Sequence, residues 1–232
     1  MFGSVGRGIA SLGVGVATIL VLLGVGVAVF FNPPFVAFEQ GRADVVAWTG
    51  FTSDEVHAAT DAILGQLYVG PGDFAVTVGG QPVLNPREQA HLRDVRGVFT
   101  GFGLAVLIGA AVLVVARWRS RGGPWLWRAV RTGTTVLIGT VIVLGLVAAV
   151  AFDTLFEVFH TIFFAGGTFD FDPRTDRLVQ LFPDQFWFET SIALAGVLIV
   201  LAVVVRTVAG RRTGTTPAGA PVQMPVASEA AR

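Results

Sequence analysis

Apolar residues run along this chain in four long blocks, and the polar ones gather between them. Gly8 to Phe31 is a run of 24 residues without a charge, Gly97 to Ala116 is a run of 20, and two more blocks occupy 132–152 and 190–205. A helix needs roughly 20 residues, at about 1.5 Å each, to cross the hydrocarbon layer of a bilayer. The first three blocks meet that length, and the fourth gains it upstream from Phe186, Trp187 and Phe188, an aromatic interface anchor. The first block leads into Phe30-Phe31-Asn32-Pro33-Pro34 rather than the small residues of a signal-peptidase site, so it reads as a retained anchor.

The pattern predicts an all-α membrane protein. Transmembrane helices are expected at 8–31, 97–116, 132–152 and 186–205, with a basic loop at 117–131 and a tail at 206–232 that lacks apolar periodicity and reads as disordered. Segments 32–96 and 153–189 form a small α+β cap. Within it Thr52-Ser53-Asp54-Glu55 has the shape of a capping box, and Val56, Ile63 and Leu67 recur at helical spacing, giving a short amphipathic helix over 53–67. Residues 74–78 and 81–84 flank Gly79-Gly80 as a hairpin. Asn85-Pro86-Arg87-Glu88 starts a helix, with Asn at the N-cap, Pro at the first helical position and Glu at the third. Nothing stops that helix before Gly97, so it should run unbroken into the second span.

Composition sharpens this picture. Hydrophobic residues make up 53 % of the 232, charged residues 14 %, and the mean hydropathy is +0.70, outside the usual range of soluble chains. All 16 basic residues are Arg, balanced by 16 acids, so net charge gives no sign of a nucleic-acid partner. The absence of Cys excludes disulfides, thiolate metal sites and a cysteine nucleophile. Charge is nonetheless polarised. Segments 32–96 and 153–189 carry six Arg against 15 acids, whereas the rest of the chain carries ten Arg against Glu229 alone. By the positive-inside rule both termini and the 117–131 loop face the cytoplasm, and the acidic cap faces outward.

All three histidines fall in the outer segments. His57 sits beside Asp54 and Asp61, opposite Val56, Ile63 and Leu67, and reads as part of a solvated face. His91 lies six residues before Gly97, roughly 9 Å above the apolar boundary on a straight helix, and shares its face with Arg87, Glu88 and Asp94. Asp153, Glu157, His160 and Phe164 stand at i, i+4, i+7 and i+11 on an otherwise greasy segment, which makes one polar stripe. A straight continuation from Phe152 would put His160 roughly 12 Å up, close to the height of His91. Rings within about 8 Å of each other would make one site.

A neutral imidazole can take a proton from an amine or alcohol, and a second can return one to a leaving oxygen, which is what acyl transfer from an ester requires. Ser53 is the only serine in the outer segments and reads as a helix cap, so direct attack by a substrate nucleophile or a transient acyl-imidazole fits better than an acyl-serine. Arg93 or Arg96 would then stabilise the oxyanion. Other readings use the same residues: an ion-pair cluster tying the cap to the bundle, a zinc-dependent lipid ester hydrolase, or a non-catalytic membrane chaperone or sensor with an acidic face. The run Asp170-Phe171-Asp172-Pro173-Arg174-Thr175-Asp176 only loosely resembles a calcium loop, since Pro173 interrupts it and no Gly or terminal Glu follows; Asx turns and a helix cap explain these acids. No P-loop, dinucleotide fingerprint or zincin-type His pair is present, and no cofactor is called for.

The run from Leu84 to Arg96 (LNPREQAHLRDVR), then FEVFHTIFF at 156–164, then Phe171-Asp172-Pro173, Asp176 and Leu181-Phe182-Pro183, resembles the lipoprotein intramolecular transacylase (Lit) family of four-helix bacterial membrane proteins. The resemblance covers residues 1–206. It implies an acyltransferase that moves the sn-2 acyl chain of a diacylglyceryl lipoprotein to the α-amino group of its N-terminal cysteine, leaving a lyso-lipoprotein, with membrane lipid as surroundings. It maps the two essential histidines onto His91 and His160. Combined with the spacing, it gives a scheme in which His160, oriented by Glu157 on the stripe with Asp153, acts as base. His91, oriented by Asp94 near Arg93, Arg96 and Glu88, polarises the ester; the two roles are interchangeable.

Overall fold

The computed structural model describes residues 4–164 and 169–213. Four of its helices are long and apolar enough to cross a membrane: α1 (Ser4–Phe30), α5 (Pro86–Ser120), α6 (Pro124–Phe163) and α8 (Asp184–Thr213). Between them lie α2 (Pro33–Arg42), α3 (Val45–Thr49), α4 (Ser53–Tyr68), the strands β1 (Thr77–Val78) and β2 (Gln81–Pro82), and α7 (Arg177–Leu181). Helix α1 packs against α5 and α6, and α6 against α8. Inside the bundle small residues set the spacing. A Cβ on Gly133 would lie 2.6 Å from the carbonyl oxygen of Gly15, so α1 and α6 meet backbone to backbone there.

The long helices run past the apolar blocks. The expected 117–131 loop shrinks to Arg121–Gly123, because α5 continues to Ser120 and Gly123-Pro124 restarts the chain as N-cap and first helical residue. Likewise the expected disordered tail is helical as far as Thr213. Ala209 is fully buried there in a cluster with Val14, Leu126 and Ala129, and Arg211 and Arg212 suit the negative end of the helix. The remaining tail residues lie outside the described residues.

The cap folds around its own core, in which Val36, Val45, Ile63, Phe74, Leu92, Leu181 and Phe186 form one buried cluster. Both capping boxes close as expected, but the cap of α4 is Thr52 and not Ser53, and Asp176 makes no side-chain cap bond to α7. Thr52 and Glu55 form the capping box of α4, and Asn85 with Glu88 that of α5, which continues without a break from cap to bundle. The hairpin forms but is shorter than 74–78 and 81–84. Gly79 and Gly80, both at positive φ (57° and 78°), make the tight turn. Buried polar groups tie the pieces together: Gln40 donates to Thr60 Oγ1 and to the Leu181 carbonyl, both at 2.9 Å.

The segment after the third block does not continue straight, so the height counted for His160 on a straight helix does not apply. Helix α6 breaks at Ala151, whose φ of −150° and ψ of 48° are not helical, and the part bearing His160 departs in a new direction.

Candidate active site

Two consecutive helices deliver the two rings, one near its start and the other near its end. His91 stands on the second turn of α5, where the Asn85/Glu88 capping box fixes the helix start, and His160 stands near the end of α6, beyond the Ala151 kink. The ring centroids are 6.1 Å apart and the planes nearly parallel, at 22°. Both lie outside the charge-free spans at 97–116 and 132–152, on the cap side.

Phenylalanines enclose the pair. The rings of Phe164 and Phe171 meet His91 edge-on at 4.8 and 5.5 Å, and those of Phe156, Phe159 and Phe169 lie 4.0, 5.4 and 5.2 Å from His160. His91 is only 6 % exposed, and its Nδ1 has no hydrogen-bond partner among the described residues. Burial disfavours the charged imidazolium, and His160 opposite disfavours it further, so the pKa of His91 is pushed down to about 4 against a small opposing pull from Asp94. Burial also lowers that of His160, with its hydrogen bond to Phe156 working the other way. Both rings are therefore neutral at pH 7.

Tautomer follows from geometry. The Nδ1 of His160 lies 2.8 Å from the Phe156 carbonyl oxygen, which can only accept, so Nδ1 carries the proton and Nε2 keeps a lone pair. The expected orienting role of Glu157 is corrected here. Glu157 is exposed, as is Asp153, and the polar stripe they were to share with His160 does not close over the imidazole; the backbone one turn earlier holds the ring instead. Asp94 is exposed and acts on His91 only through space. Arg93 and Arg96 point elsewhere. Arg93 donates to the Asp73 carbonyl at 3.2 Å, and the Arg96 guanidinium covers Gly72, so both secure the 72–73 turn rather than an oxyanion.

Glu88 is buried, at 1 % exposure, and structural. Its two oxygens accept from the backbone N–H groups of Asn85 and Leu178, each at 2.6 Å, which ties the start of α5 to α7. Burial raises its pKa against those two bonds. The residue that frames the site is Arg87. Its guanidinium lies 4.9 Å from the Phe171 ring centre, bonds to the Asp170 carbonyl, and pairs with Asp176 at 3.8 Å. Its place four residues before His91, on the same helix face, was the signal for it.

The acids of the 170–176 run serve that loop. Asp176 accepts from the Asn85 side chain at 2.9 Å and from the Asp172 N–H at 2.8 Å, and Asp172 accepts from the Arg174 N–H at 2.9 Å. No group of three or more His, Cys, Asp or Glu placed to hold a metal ion occurs among the described residues. His57 is exposed on α4, apart from the pair.

Comparison with known proteins bears on the family and the fold. The family model described as lipoprotein intramolecular transacylase Lit matches residues 12–187. No curated protein matches by sequence. Among solved structures, the chain is similar to the membrane-integral lipoprotein intramolecular transacylase Lit of Bacillus cereus, with a TM-score of 0.74 at 16 % identity, covering 89 % of this chain and 95 % of that one. It is also similar to a histidine-to-arginine variant of that protein, with a TM-score of 0.71 at 16 % identity, covering 89 % and 91 %.

Proposed function

The chain belongs to the lipoprotein intramolecular transacylase family and is an acyltransferase; from that premise we propose that His91 and His160 carry the transfer, at the outer face of a bacterial membrane with both termini inside. The substrate is the N-terminus of a diacylated lipoprotein. Its α-amine attacks the sn-2 ester carbonyl, the amide C–N bond forms, and the ester C–O bond breaks. Nε2 of His160, free because Nδ1 is committed to Phe156, takes the proton from the attacking amine and returns it to the departing glycerol oxygen. His91, neutral, donates a ring N–H to the carbonyl oxygen as negative charge develops there. A lyso-lipoprotein results.

The observation that carries this reading is the 6.1 Å separation of a buried imidazole and a half-buried one inside an aromatic wall. Phenylalanine surroundings serve the chemistry twice. They keep both rings uncharged, and they suit acyl chains that approach from the bilayer. The acidic balance of the cap and the Arg-rich opposite end support the orientation.

Mass spectrometry of lipoprotein N-termini from cells expressing His160→Ala tests the proposal. The lyso-form should disappear while the protein still accumulates in the membrane. Unchanged lyso-lipoprotein would remove His160 from the reaction and leave a non-catalytic role for the cap. Persistent activity that needs added zinc would instead favour a metal-dependent hydrolase.

A further inference from the structure

Away from the imidazole pair, α2 and the start of α8 border a cleft of about 420 Å³. Its walls are of two kinds. Phe38, Phe188 and Ile192 line it with apolar surface and remain 61 %, 37 % and 43 % exposed, while Glu39, Arg42 and Glu189 form a charged rim. Arg42 Nε sits 2.5 Å from Glu189 Oε2 but 3.9 Å from Glu39 Oε2, so one guanidinium serves two carboxyl groups and is spent on the second. Glu39 is 5 % exposed, and its Oε2 has no hydrogen-bond donor among the described residues. A buried carboxylate left this way is costly; burial and the adjacent Glu189 push its pKa up accordingly.

Position narrows the occupant. Glu189 immediately precedes the fourth apolar block, next to the aromatic anchor of Phe186, Trp187 and Phe188, so the rim and the Phe38 and Phe188 rings lie at headgroup depth, and Ile192, almost one turn further along α8, lies toward the acyl chains. The charges are those a zwitterion would complement: a carboxylate lacking a donor beside an Arg side chain that is 53 % exposed.

We propose that this cleft binds a phospholipid with a primary-ammonium headgroup, of the phosphatidylethanolamine class, its ammonium donating to Glu39, its phosphate facing Arg42 and an acyl chain lying along Phe38, Phe188 and Ile192. A quaternary ammonium has no N–H to give Glu39, and an anionic glycerol headgroup has no cation to offer it. The site is independent of the imidazole reading, although aromatic rings connect the two: Phe188 touches Phe152 at 5.3 Å, Phe152 lies 5.8 Å from Phe156, and Phe156 packs on His160.

The test titrates delipidated full-length protein in detergent with dioleoyl-phosphatidylethanolamine, -phosphatidylcholine or -phosphatidylglycerol and counts bound lipid by native mass spectrometry. The ethanolamine lipid should bind about tenfold tighter than the choline lipid, the worth of one charge-assisted hydrogen bond. N-methyl and N,N-dimethyl analogues should fall between them. Glu39→Gln should erase the ethanolamine preference without lowering the melting temperature or the transacylation rate measured in detergent. Equal binding of ethanolamine and choline lipids, a preference for the glycerol lipid, or an unchanged preference in Glu39→Gln would each overturn the proposal. The wild-type headgroup series decides the matter even where the variant fails to fold.

Discussion

The cap and the helical bundle are held together by different means. In the cap, long-range polar bonds fix the parts: Gln40 to Thr60 and Leu181, Glu88 to Leu178, Arg87 to the 170–176 loop, Arg177 to the Thr49 carbonyl at 2.6 Å. In the bundle such bonds are few, and helices meet through small residues, closest at Gly15 and Gly133. The difference follows from the solvent each half meets. Burying cap surface removes it from water, so apolar burial drives folding and polar bonds select one arrangement. Between lipid-facing helices that drive is missing, and close van der Waals contact takes its place. The proposed two-histidine site accordingly sits in the half built on directional bonds.

That contrast can be broken from either side. The largest effect belongs to the site itself: His91→Ala should lower transacylation in a purified assay by about a hundredfold or more while leaving the melting temperature within a few degrees. Next comes Gly133→Ala, whose new methyl collides with backbone at 2.6 Å, where no rotamer change gives relief; a loss of about 1–3 kcal/mol is expected in detergent unfolding. Gly15→Ala is its control. A methyl there would come no closer than 3.7 Å to the Ala129 carbonyl, so it should be nearly neutral. Equal cost at both positions would refute the account of the helix crossing.

Removing a cap bond should cost somewhat less. Glu88→Ala leaves two backbone N–H groups without their acceptor and should destabilise by about 1–2 kcal/mol, seen as a lower midpoint in chemical unfolding, with Glu88→Gln recovering part of it.

Acidity gives a further handle. His91 has a folded pKa near 4 against about 6.5 when unfolded, so the unfolded chain binds more protons between those values. The stability associated with its neutral burial is complete above about pH 6.5 and is lost as pH falls toward about 4. Unfolding midpoints measured across that window should fall on acidification in the wild type and fall less in His91→Phe. The smallest effect is expected from Glu157→Gln. The carboxylate is exposed and the His160 ring is held by the Phe156 carbonyl instead, so stability should change by under about 0.5 kcal/mol and activity should stay close to wild type.

Much of this was legible in the sequence, for identifiable reasons. Uninterrupted apolar length marked the four spans, and Asn85-Pro86-Arg87-Glu88 marked a helix start that runs on into the second one, which is how His91 could be placed by counting. The Glu157 assignment failed because helical spacing does not decide which acceptor an imidazole takes: the Phe156 carbonyl holds Nδ1 of His160 and the Glu157 carboxylate stays exposed. The break at Ala151, with no Pro or Gly beside it, upset only the height counted for His160. Arg93 and Arg96 were placed on the correct helix, yet their long side chains reach the 72–73 turn, a contact about 20 residues away that periodicity does not encode. The phenylalanine enclosure escaped for a related reason. Phe169 and Phe171 belong to a loop, and contacts from Arg87 and Asn85 on α5 bring it against His91.

Because α5 is unbroken between cap and bundle, the placement of His91 is a matter of residue count. One alanine inserted between Asp94 and Gly97 would rotate the imidazole about 100° around the axis and lift it about 1.5 Å, away from its counterpart, while altering no residue of the pocket. Length along this rod thus sets the meeting of the rings as firmly as side-chain identity does, whereas the segment after Ala151 is joined to its span by a bend.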